Sequence, residues 1–186
     1  FYTVRTPISF LEDGVSATVG SKLFVFGESM PHPTKNARLD RMWVERDISS
    51  FVTDTSNNRG EFEPLETKGS APQTRSIERI AAGSSGNDVF LFTSPQVEEG
   101  SLLVHKLDTT SNTWSKVKTS GTAPPPLANF SSVNVGGRII ISGGQSTVDV
   151  PGARAEYNAD LYEFDPASGS WTKLSKSGEE LDGRIG

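Results

Sequence analysis

Cysteine is absent from this chain, which excludes a disulfide framework and any thiolate metal site. The compartment stays open, because many secreted proteins also lack cysteine, although an intracellular location is favoured. Histidine is scarce, with two copies, so a histidine-based centre has little to draw on. No apolar run approaches the roughly 18 residues that a membrane span needs. No basic segment followed by an apolar one opens the sequence, so a signal peptide was removed or never existed. Positive charge is not in excess either. The 18 Lys and Arg against 23 Asp and Glu leave a formal charge of −5, which argues against nucleic acid or an anionic membrane as partner.

What the sequence does hold is punctuation. Its 186 residues include 18 Gly and 11 Pro, with only 34% hydrophobic, a balance that suits many short strands joined by turns better than a helical bundle. The clearest unit runs from Val133 to Leu174. A short strand turns at Gly136-Gly137 into the apolar run Ile139-Ile140-Ile141, which stops at Gly143-Gly144. After a polar loop, Leu161-Tyr162-Glu163-Phe164 alternates, and an Asp-Pro-Ala-Ser-Gly turn leads to a strand carrying Trp171 and Leu174.

That unit recurs. Taking Trp171 as anchor, the equivalent rings upstream are Trp114 and Phe62, at intervals of 57 and 52 residues. An aliphatic follows each anchor at plus three (Leu65, Val117, Leu174) and a glycine at plus seven (Gly69, Gly121, Gly178). Plus ten holds Pro72, Pro124 and Leu181, and plus thirteen holds Arg75, Leu127 and Arg184. Upstream, Leu23-Phe24-Val25-Phe26, Val89-Phe90-Leu91-Phe92 and Ile139-Ile140-Ile141 each follow a turn signal and read as inner strands buried on both faces. The third strands are expected at Met42-Trp43-Val44, Leu102 to Leu107 and Leu161 to Phe164. Asp108 and Asp165 precede the turn to the outer strand, whereas the first unit has Ser56 in that register. The stretch from Ile48 to Gly60 reads as a solvated, mobile insert between third and fourth strands.

Gly-Gly after an apolar strand, an aspartate six residues before a tryptophan and an aliphatic three after it resemble a kelch repeat, whose period is about 50 residues. The resemblance implies an all-β fold of kelch-type β-propeller blades, each of four antiparallel strands. About three blades are present: residues 1–14 as an outer strand and linker, 15–75, 76–128, and 129–186 with the start of a further blade. Kelch propellers usually close with about five to seven blades. Three in an arc would leave apolar faces uncovered at both ends, so the chain is expected to belong to a larger closed ring, as a fragment, a processed half, or one protomer of a dimer.

Catalytic constellations are thin. His105 sits in an alternating strand and reads as a sheet-face histidine, and His32 has no second ligand nearby. Gly83-Ser84-Ser85-Gly86 lacks the Lys-Ser/Thr of a phosphate loop and reads as a hairpin turn. Glu98-Glu99 and Glu179-Glu180 are adjacent, so on extended chain they point opposite ways and share no acid–base site. Asp108 and Asp165 fit the turn to the outer strand, each accepting backbone N–H groups. Asn129-Phe130-Ser131 is a sequon that matters only in the secretory pathway. Among enzymes of the kelch superfamily, copper-radical oxidases need a cysteine-crosslinked tyrosine, and the specifier proteins need a Glu-x-x-x-Asp-x-x-x-His run. This sequence has neither, and no cofactor is expected.

Function then rests on loops. The resemblance implies that loops joining second to third strands, and those joining blades, gather on one face where partners dock. Ser29 to Arg41 is basic through Lys35, Arg38 and Arg41, Pro95 to Gly100 is acidic, and Ser146 to Asn158 carries Arg154, Glu156 and Tyr157. Arg and Tyr are favoured interface anchors. Arg75 and Arg184 stand where kelch arginines line the channel rim, serving either binding or carbonyls between blades. The expectation is a non-catalytic protein–protein interaction module using Arg38, Arg41, Arg75, Arg154, Tyr157 and Arg184, its partner another protein or the remaining propeller half. The alternative is a carbohydrate-binding or enzymatic propeller completed by absent blades, with Tyr157 and Phe51 as stacking rings.

Overall fold

The computed structural model describes residues 11–29, 46, 47, 49–57, 62–74, 77–95, 100–146 and 156–175. Strands β1 (Leu11–Val19), β2 (Lys22–Ser29), β4 (Ser49–Asp54) and β5 (Glu63–Pro64) form the first sheet in that order, while the two-residue β3 (Arg46–Asp47) pairs instead with β7 (Gln73–Thr74). The second sheet runs β8 (Ile80–Ser85), β9 (Asp88–Thr93), β10 (Leu103–Asp108), β11 (Thr113–Val117), then β6 (Lys68–Gly69). The third repeats it with β13 (Leu127–Val135), β14 (Arg138–Ser146), β15 (Leu161–Asp165), β16 (Ser170–Lys173), then β12 (Ser120–Gly121). The innermost strands lie side by side in succession, β1 against β8 and β8 against β13. These are the blades of a partial propeller, and the sheets do not close into a ring.

Alternation along the strands sends each blade's side chains two ways. Ala17, Phe24 and Phe26 of the first blade pack with Ile80, Val89, Leu91, Leu107 and Trp114 of the second. On its other side the second blade offers Ala81, Phe90, Phe92 and Val104 to Phe130, Ile139, Ile141, Phe164 and Trp171 of the third. Both interfaces are ring-rich and built alike. Phe26 meets Trp114 edge-on at 5.7 Å, and Phe92 meets Trp171 at 5.5 Å. Phe26, Phe92 and Phe164 are each 0% exposed, and full burial of such a ring is worth about 1.5–3 kcal/mol. Each anchor therefore faces the preceding blade. Phe62, whose preceding blade is not among the described residues, is only half-buried and joins neither cluster.

The glycine at plus seven has a tertiary cause. After the outer strand of one blade the chain crosses to the next and adds as a parallel strand on its outer edge, β6 on β11 and β12 on β16. There Gly69 and Gly121, at φ 78° and 80°, lie so close to the carbonyls of Trp114 and Trp171 that an added Cβ would stand 2.3 and 2.1 Å from those oxygens. Glycine is the residue that fits such a backbone-to-backbone approach. The Lys68 amide donates to Asn112 O at 2.8 Å, and the Thr122 amide to Trp171 O at 3.2 Å. One blade's tail thus straps the next blade's anchor strand.

The first blade corrects the sequence reading in three places. Its third strand is β4, with Val25 opposite Phe51 and Lys22 opposite Asp54; Met42 to Val44 lie outside the described residues. The stretch expected as a mobile insert instead holds Ser50, Phe51 and Thr53, exposed by 8, 7 and 6%. The missing aspartate is Asp54, which accepts the Ser56 amide at 2.9 Å, as Asp108 accepts Thr110 (2.8 Å) and Asp165 accepts Ala167 (2.9 Å). Asp54 to Phe62 spans eight residues rather than six, so counting back six from the anchor lands on Ser56. In all three turns hydrogen bonds hold the carboxyl below the usual range, led by the Ser56 hydroxyl at Asp54, the Thr110 amide at Asp108 and the Ser168 hydroxyl at Asp165.

Candidate functional site

The described part of the loop face centres on the base of the loop between β14 and β15. Beyond the β14–β15 ladder the last residues of β14 keep pairing with the returning chain: the Ser146 amide donates to Glu156 O and the Asn158 amide to Gly144 O, both at 2.8 Å, with Gln145 bridged to Tyr157. Asn158 then locks the turn into β15. Its Nδ2 donates to Gly143 O (2.9 Å) and Asp160 O (3.0 Å), and its Oδ1 accepts the Asp160 amide (3.2 Å). The result is a hydrogen-bonded two-stranded pedestal. On it the Tyr157 side chain stands 53% exposed, although a ring of that size usually finds cover.

Gly144 gives the glycine pair after the third blade's apolar strand its physical reason. At φ 87° it presses on the innermost strand, where an added Cβ would be 2.9 Å from Ala128 O and from Phe130 Cβ. Directly across from it stands Asn129, and the register runs unbroken from Ala128–Gln145 to Phe130–Gly143, with both residues of the intervening rung left-handed, Asn129 at φ 54°. Asparagine tolerates the left-handed conformation better than most residues. The sequon therefore lies within a strand, half-buried. Nothing in local composition distinguished Asn129 or Asn158 as structural. The spacing of the glycine pair was the available signal.

Of the residues expected to bind, Tyr157 is the one the described structure places. Arg38, Arg41, Arg75, Arg154 and Arg184 lie outside the described residues. Phe51, considered as a sugar-stacking ring, is buried in β4 and leaves that role. His105 sits in β10 between Leu91 and Lys116, on the side of the sheet that faces the first blade, and its buried Nδ1 has no hydrogen-bond partner. Burial, helped by Lys116, pushes its pKa down to about 4, so it is a neutral sheet-face ring at neutral pH. Among the described residues no three His, Asp or Glu side chains converge as a metal-ligand set. No described helix is long and apolar enough to cross a membrane.

Serial sheets of four antiparallel strands, ring-packed against one another and bearing a loop on a hydrogen-bonded base, define a β-propeller segment of repeat type. The family model described as the KLHDC2/KLHL20/DRC7 Kelch-repeats domain matches residues 14–186; the chain belongs to the kelch-repeat family. It is 26% identical over 138 residues to a Rab9 effector protein with kelch motifs from Xenopus laevis, covering 74% of this chain and 36% of that protein. It is 35% identical over 80 residues to the Rho GTPase-activating protein gacHH of Dictyostelium discoideum, covering 43% of this chain and 5% of that one. Among solved structures, YjhT superposes with a TM-score of 0.60 at 13% identity, over 90% of this chain and 52% of its own. That likeness shows the fold. The chain spans only a minor part of each of the two curated relatives.

Proposed function

We propose that this kelch segment is a non-catalytic protein-interaction module that docks a partner through its loop face. The observation that carries the reading is Tyr157, half-exposed on a hydrogen-bonded pedestal. A rigid aromatic presents broad contact area with little rotamer entropy left to lose, which is the usual character of an interface anchor. Arg38, Arg41 and Arg154 belong by sequence to the connections that the kelch pattern assigns to the same face, where their guanidinium groups would add donors and charge. Membership of the kelch family supports an interaction role in general. The names of the two relatives connect those proteins with small GTPases, which makes a GTPase the first partner class to try.

The test is biolayer interferometry of the chain against Rab9 loaded with a GTP analogue or with GDP. Tyr157→Ala is expected to weaken nucleotide-selective binding by about ten-fold or more, the scale of an aromatic anchor, and to leave the unfolding midpoint unchanged. Charge reversal of Arg38, Arg41 and Arg154 together is expected to weaken it further. Binding that is untouched by all four substitutions refutes the assigned face. Absence of binding in either nucleotide state removes the GTPase as partner.

A further inference from the structure

Five buried side-chain atoms have no hydrogen-bond partner among the described residues: Ser50 Oγ, Ser94 Oγ, His105 Nδ1, Trp114 Nε1 and Trp171 Nε1. A buried polar group left unpaired is costly, and nearly all of them in folded proteins meet a protein partner or an ordered water. Three of the five gather in one place, the seam between the first and second blades.

The ladders bring them together. Ser50 stands directly opposite Phe26 across β2 and β4, so both side chains share the face that looks at the second blade. The Phe26 ring meets the Trp114 ring at 5.7 Å. Trp114 pairs with Leu107 and His105 with Lys116, which makes His105 and Trp114 diagonal neighbours on the face that looks at the first blade. Diagonal neighbours lie about 7–8 Å apart, within reach of aromatic side chains. Ser50 Oγ, Trp114 Nε1 and His105 Nδ1 therefore surround a single ring contact.

The seam between the second and third blades supplies the comparison. Counted from Lys22, Asp88 and Arg138, which open the second strands, Phe26 corresponds to Phe92, Leu91 to Ile141 and Val89 to Ile139. Through their ladder partners, Ser50 corresponds to Val104, His105 to Tyr162 and Leu107 to Phe164. At all three places the first seam carries the smaller side chain, and at two of them the more polar one. The ring contacts that set the spacing are nevertheless alike, at 5.7 Å for Phe26 on Trp114 and 5.5 Å for Phe92 on Trp171. Equal spacing with less side chain leaves room, and the atoms beside that room are polar. Trp171 Nε1 has only Val104 and Tyr162 at the corresponding places, and Ser94 lies past the end of β9, so neither joins such a group.

A space lined by apolar groups alone stays dry, whereas one with two to four polar partners holds water. The donors and acceptors here suit one molecule. The indole N–H only donates, the serine hydroxyl does both, and Nδ1 accepts in a neutral imidazole protonated on Nε2. Water can accept from Trp114 and donate to His105 and Ser50, which makes about three bonds, the usual number for a buried water. We infer that the seam between the first and second blades is a built water site, its resident water held by Trp114 Nε1, Ser50 Oγ and His105 Nδ1.

The experiment compares the isotope-labelled parent chain with Ser50→Ala and with the double variant Ser50→Val/His105→Tyr, which copies the pair of the other seam. Water-selective NOE and ROE spectra read the Trp114 indole proton, assigned by its loss in Trp114→Phe, and thermal unfolding reads stability. The parent is expected to show a water cross-peak of opposite sign in the two spectra, the mark of a long-lived water rather than of exchange. Ser50→Ala, which removes the hydroxyl as a relay, is expected to keep it. The double variant is expected to lose it and to unfold at the same or a higher temperature, because apolar groups then replace the polar partners and fill the site. The inference is overturned if the parent lacks the cross-peak, if Ser50→Ala abolishes it, or if it survives the double substitution. A fall of about 2 °C or more in the double variant's midpoint also overturns it, since a seam already filled would be overpacked by the larger side chains.

Discussion

Gly121→Ala probes the strap between blades most directly. At φ 80° an alanine costs about 1–2 kcal/mol for the left-handed backbone alone. Its Cβ would also stand 2.1 Å from Trp171 O, a distance no rotamer change relieves because both sides are backbone. The strap must lift away. That loosens the Ser120 amide bond to Gly169 O and the Thr122 amide bond to Trp171 O, both 3.2 Å, each worth about 0.5–1.5 kcal/mol. The expected total is about 2–5 kcal/mol. Gly137→Ala supplies the control. Gly137 has the same φ of 80° but nothing within 4 Å of an added Cβ, so it registers the backbone cost alone, about 1–2 kcal/mol. Urea unfolding followed by tryptophan fluorescence and far-UV circular dichroism reads the difference. With a slope of about 1–3 kcal/mol per molar urea, Gly121→Ala should shift the midpoint clearly further than Gly137→Ala. Equal shifts would show that strap contact adds nothing and that conformation alone explains the glycine.

Two further expectations concern the first and second blades. Phe51→Ala should cost about 3–5 kcal/mol as a buried ring truncation, measured by the same urea series, whereas a mobile surface insert would register within about 0.5 kcal/mol. His105 makes stability pH-dependent. Its folded pKa of about 4 lies below the ordinary histidine value of 6.5, so on acidification the unfolded chain takes up the proton first. Its contribution is complete above pH 6.5, falls as pH drops towards 4 and levels below that. His105→Phe places an aromatic ring where the first and third blades carry Phe51 and Tyr162 in the same register, and it should flatten midpoints across that window. An unchanged slope would assign the acid sensitivity to other groups.

The repeat itself was legible because it is written in spacing. Anchor, aliphatic and glycine keep their intervals in three copies, since each blade has to hand its chain to the next with the same geometry. What spacing could not carry was any place where one blade departs by insertion. Asp54 was missed because two extra residues separate it from Phe62, and Phe51 was read as solvated because its polar neighbours hide a strand whose burial is long-range. Most of the candidate binding surface was readable only as composition: arginines in loops, and one tyrosine. That Tyr157 stands on a pedestal depends on hydrogen bonds from Ser146 and Asn158 to backbone across the loop, which no run of residues announces.

The sequence by itself determined the class of fold, the order of strands within the two later blades, and the recurrence of Gly69 and Gly121 as something more than turns. These follow from local rules of alternation, turn chemistry and period, which act over a few residues. Only the tertiary structure decided what those glycines touch, which way each strand face looks, and that Ile139 leaves no room for a side chain at Gly83. Such facts arise between blades, where residues about fifty positions apart meet, and the volume of one side chain acquires meaning from the volume of the other.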